Sequence, residues 1–109
     1  MTTRKLNFYS DSGHGWASVL RSDLDTLQIA DQISPYSYQR GARVYLEEDC
    51  DLSTYLKAAH AAGWVVTFKD HNCDRSTIRS FDQYRRRISL QTLTQAAQEL
   101  GKLQFITIK

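Results

Sequence analysis

The chain is poor in the residues that punctuate or cross-link a fold. Pro35 is the one proline in 109 residues, so proline-rich spacers and recognition segments are excluded. The two cysteines, Cys50 and Cys73, are far apart and form no C-x-x-C pair. A disulfide framework of the small secreted kind is therefore not expected, and free thiols in a reducing cytoplasm are. No apolar run approaches the roughly 18 residues of a membrane span. The start, "MTTRKLNFYSD", has no apolar stretch of the kind a secretory leader carries, which also points to the cytoplasm and away from a membrane partner. There is no internal repeat and no low-complexity tract, so residues 1–109 are expected to form a single domain. Net charge is only +2, too small to imply a nucleic-acid partner by bulk attraction.

What is present is an ordinary globular balance, 41% hydrophobic and 24% charged. "KLNFYS" sets Leu6 and Phe8 against Asn7 and Tyr9, the alternation of a strand. "SGHG" then reads as a turn and "WASVL" as the returning strand, giving a hairpin with His14 at its tip. Ser22, with Asp23 and Asp25 behind it, marks a short helix over "DLDTLQIAD", broken at Ser34-Pro35. A second hairpin turns at Arg40-Gly41, with Val44 and Leu46 on one face and Tyr45 on the other. Asp51 opens a helix with an apolar stripe at Leu52, Tyr55, Leu56 and Ala59, stopped by Gly63. "WVVTFK" reads as a strand, "DHNCDRST" as a loop, and "IRSFDQYRRRI" as either a helix or an edge strand at Ile78–Ser80. Ser89 opens a striped helix over "LQTLTQAAQEL", and "LQFITIK" closes as a strand. The expected class is α+β: a mainly antiparallel sheet of about five or six strands with two or three helices on one face.

The candidate functional residues fall in four places. His14, bracketed by glycines and followed by Trp16, is available as a base, ligand or phosphate contact, although the turn alone accounts for the glycines. His14, Asp11, Asp49, Cys50, Asp51, His71 and Cys73 are the residue types of a metal site, but no ligand spacing links them, so neither metal nor cofactor is expected. Glu47, Glu48, Asp49 and Asp51 form an acidic knot that helix-start and strand-end roles explain. Residues 69–87 carry six basic side chains against three acidic ones, with arginines interleaved among aromatics. That mixture suits an interface or single-stranded nucleic acid. The resulting binding candidates are His14, Trp16, Tyr38, Arg40, Arg75, Arg79, Phe81, Tyr84 and Arg85. No G-x-S-x-G or other complete catalytic motif is present, which argues against an enzyme.

The segments "FYSDSGHGW", "SYQRG", "YLEEDCD" and "HNCDRSTIRSF", in this order between Phe8 and Tyr84, resemble a family of small proteins from phages, prophages and plasmids of bacteria. The resemblance makes 8–84 the family-like core and 85–109 a C-terminal extension of helix and strand. It carries no established activity; it implies a mobile-element accessory protein in a bacterial cytoplasm. The expectation is a non-enzymatic module that binds a bacterial host protein or protein complex, with inhibition of a defence system, of the anti-CRISPR or anti-restriction type, as one form of that role. One alternative is a small metal- or histidine-dependent hydrolase of a phosphate-containing substrate. Another is a nucleic-acid-binding protein acting through residues 75–87. The sequence sets no oligomeric state and is compatible with a dimer.

Overall fold

Alternation builds the strands, and the computed structural model, which describes residues 1–86, assembles six of them into one sheet. The strands are β1 (Thr3–Ser10), β2 (Gly15–Leu20), β3 (Tyr38–Arg40), β4 (Arg43–Glu47), β5 (Val65–Asn72) and β6 (Asp82–Gln83). Their order is β5-β1-β2-β4-β3-β6. Every neighbouring pair is antiparallel except β1 and β5, which run parallel with Thr3 opposite Val65 and Ser10 opposite Asn72. The expected α+β class is what the chain adopts. The expected helix over 90–100 and the closing strand lie outside the described residues.

One face of the sheet carries the main core. Leu6, Ala17, Val19, Val44 and Leu46 point to that face and meet Leu24 from α1 (Arg21–Thr26) and Leu52, Tyr55 and Ala59 from α2 (Asp51–Ala61). Burial of each large side chain there contributes about 1.5–3 kcal/mol. Arg4 also lies on this side and holds the buried Asp23 through two contacts of 2.7 and 3.1 Å. The parallel partner β5 needs a crossover, and α2 supplies it. Gly63, at φ +78°, ends α2: its amide donates to His60 and the Trp64 amide donates to Ala59, so the last carbonyls are satisfied.

Four segments differ from the sequence-based reading. Helix α1 stops at Thr26 because Gln28 takes φ +60° and the Ile29 amide turns back to Leu24. Strand β2 runs straight into α1, so Leu20 stands at the cap position and Ser22 lies inside the helix. Strand β5 continues through Asp70, His71 and Asn72, because the equally long β1 offers partners up to Ser10. "IRSFDQYRR" forms neither a long helix nor a strand at Ile78–Ser80. It makes a 3-10 turn over Thr77–Ser80, capped by the Ser76 hydroxyl, and then the two-residue β6. Ile78 is buried, and its segment lies along the sheet face opposite the helices, beside Tyr9 and Tyr45.

Candidate functional site

Strand alternation places a second set of side chains on the face away from α1 and α2. From the register, these are Lys5, Asn7 and Tyr9 on β1, Lys69 and His71 on β5, Trp16 and Ser18 on β2, Arg43, Tyr45 and Glu47 on β4, and Tyr38 and Arg40 on β3. The segment 73–81 crosses part of this face. Its attachment is the Asp11 carboxylate, whose side chain is only 1% exposed. Asp11 accepts from the Gly13 and His14 amides, both at 3.0 Å, which shapes the hairpin turn. It also accepts from the Ser76 amide at 3.0 Å and from the Arg79 guanidinium at 2.7 and 2.8 Å. The guanidinium foremost, then the amides, hold the Asp11 carboxyl well below the usual carboxylate range. The Arg79 guanidinium in turn covers the buried Trp16 ring at 5.4 Å.

Two pockets flank this clamp. The first, about 410 Å³, is lined chiefly by His14, Trp16, Tyr36, Tyr38, Glu47 and Asp49. His14 is half exposed, with Nδ1 3.9 Å from Glu47 Oε1. Burial, aided by the nearby Asp49 charge, pushes the Glu47 carboxyl up from its ordinary value. The second pocket, about 380 Å³, lies between Tyr9, Tyr45, Phe81, Arg75 and the backbone turn at Ser76–Ile78. It interrupts a row of rings across the sheet. His71 stacks on Tyr9 with centroids 4.9 Å apart and planes at 20°. Tyr9 is 6.3 Å from Tyr45, Tyr45 is 5.1 Å from Phe81, and the Arg40 guanidinium lies 5.0 Å over Phe81.

The sequence-based candidates separate into three groups. His14, Trp16, Tyr38 and Arg79 meet at the first pocket. Arg40, Arg75 and Phe81 gather at or beside the second. Tyr84 and Arg85 do not join either. Tyr84 is buried against the helix-side core, with its hydroxyl donating to the Ala30 carbonyl at 2.6 Å. Arg85 is exposed beyond β6, with its amide on Gln39. The acidic knot also divides. Asp51 is buried and accepts from the Ser34 amide and hydroxyl and from Ser37 Oγ, at 3.0, 2.7 and 2.5 Å, so it staples the loop before β3. Of the groups the hydrolase alternative brings together, only His14, Glu47 and Asp49 share a pocket. Asp11 is occupied by Arg79, and His71 is bonded to Asn7 at 3.0 Å. Among the described residues no three His, Cys, Asp or Glu side chains lie close enough to hold a metal ion. Cys50 and Cys73 are both exposed and unpaired.

Sequence reasoning missed Tyr9, Tyr45 and His71 as a row, and Lys5, Arg43 and Lys69 around it. The signal was available in the period-2 placement of Tyr9 and Tyr45 on the polar face of their strands. His71 carried no such signal, because its segment reads as a loop. Compared with protein-family models, curated proteins and solved structures, the chain matches none.

Proposed function

We propose that this protein is a non-enzymatic binding module that docks a macromolecular partner on the sheet face opposite its helices. The observation that carries this reading is the row of half-buried rings His71, Tyr9, Tyr45, Phe81 on that face, continued by the exposed Arg40. The crossing segment covers these rings only in part, and aromatics with arginine are what binding surfaces concentrate. The Asp11–Arg79 clamp supports the same reading, because it holds the crossing segment in place before a partner arrives. The resemblance to mobile-element proteins supports a bacterial cytoplasmic setting and a stoichiometric role on host machinery, inhibition of a defence system among them.

Affinity capture tests the reading. Tagged protein is passed through bacterial lysate beside the Arg40→Ala/Phe81→Ala variant, with folding of both verified by circular dichroism. The expected result is a partner retained by the native chain and lost, by ten-fold or more, from the folded variant. Equal capture by both would remove this face from the account.

A further inference from the structure

Charge is distributed on the open face in a way that specifies its occupant. Lys5, Arg43, Lys69 and Arg75 are all exposed, and among the described residues their side chains make no hydrogen bond or ion pair. By register, Lys5 and Lys69 flank Asn7 on β1 and β5, while Arg43 lies two residues before Tyr45 on β4. Arg75 lines the second pocket with Tyr9, Tyr45 and Phe81. The acid on the same strand face, Glu47, lies at the other end, beside His14. On β1, β4 and β5 the ring row is thus bordered by unpaired cations, and a carboxylate, Asp82 of β6, approaches it at the Arg40–Phe81 end. From β5 to β3 the row crosses four strand spacings, about 19 Å, the length of a few nucleotides of extended strand.

We infer that the partner is a single-stranded nucleic acid, laid across the sheet with a base in the Tyr9–Tyr45–Phe81 pocket and phosphates on Lys5, Arg43, Lys69 and Arg75. The inference rests on the docking face proposed above and names its occupant. Rings accept any base by its π-face, and dispersed cations follow a flexible backbone. A duplex hides its bases and would use only the charges. A protein partner would have to cover four unpaired cations with its own acids, and nothing in the ring row requires that.

Fluorescence anisotropy with a labelled mixed-sequence 12-nucleotide single strand, as DNA and as RNA, tests this on the full chain. Binding to at least one is expected, weaker for the matching duplex. It should fall roughly fifty-fold between about 50 and 200 mM salt, as four phosphate contacts require. Lys69→Glu/Arg75→Glu should weaken binding by ten-fold or more. Lys57→Glu, an exposed change on α2 behind the sheet, should leave it within two-fold. Tyr45→Ala should cost about ten-fold, with folding checked separately. Duplex bound as tightly as single strand would overturn the inference, as would equal loss in the Lys57→Glu control. Absence of binding at low salt, with a nuclease-resistant protein still captured through Arg40 and Phe81, would overturn the nucleic-acid occupant and leave the docking face standing. Absence of both would overturn the face itself.

Discussion

Asp11 is the residue on which the site depends. Five donors converge on its two oxygens: the Gly13 and His14 amides of its own turn, and the Ser76 amide and two Arg79 nitrogens of the crossing segment. Its proton affinity is lowered in the folded chain and returns to the ordinary value of 3.8 on unfolding. A lowered native value means that the folded state is favoured above that pH and loses this advantage as the pH falls below it. Asp11→Asn should therefore be less stable than the native chain at neutral pH. In urea titrations the difference should begin to narrow as the pH falls below about 4 and go on narrowing through the acid limb. A difference that stayed constant down the acid limb would show that the charge of Asp11 contributes nothing. Gly13 belongs to the same device, since a Cβ there would stand 2.9 Å from Arg79 Nη2. The sequence displayed Asp11 only as an acid near a turn. Its partner is 68 positions away, and no local pattern encodes that contact.

At the scale of elements, strands with one apolar face were legible and segments shaped by distant partners were not. Val44 and Leu46 alternate with Tyr45, and that local pattern alone fixes β4, its hairpin and the face of each side chain. The polar run Asp70–Asn72 has no such pattern, and becomes strand only because β1 extends alongside it. Ile78, Phe81 and Tyr84 fit a helical spacing, yet they divide between the two faces: Ile78 and Phe81 go to the open face, Tyr84 to the helix-side core. Arg79 binding to Asp11 and the Tyr84 amide binding to the Ser37 carbonyl pull that segment out of a helix. Helix α1 offers a direct check on element ends. Gln28 occupies the left-handed position that closes it, where a Cβ is unfavourable. Gln28→Gly should raise stability by about 0.5–1 kcal/mol in chemical denaturation. A neutral or negative change would mean that the Gln28 side chain contributes contacts that offset its backbone strain.

For the whole molecule, the two faces of one sheet divide the work. Helices close one face over a continuous core, with Val19, Leu24, Val44 and Leu46 fully buried. The other face keeps a half-buried ring row, two pockets and unpaired cations. The division into faces could be read from alternation in β1 and β4. That the crossing segment would cover Trp16 and leave Tyr9 and Tyr45 beside a pocket could not, because it follows from the long-range Asp11 clamp. The central claim is that a single-stranded nucleic acid docks on the open face. The most direct measurement is an amide chemical-shift titration of the isotopically labelled full chain with the single-stranded 12-mer. The account predicts shifts concentrated at Tyr9, Tyr45, Lys69, His71 and residues 75–81, with α2 unchanged. Shifts centred on α1 and α2, or none at saturating oligonucleotide, would contradict it.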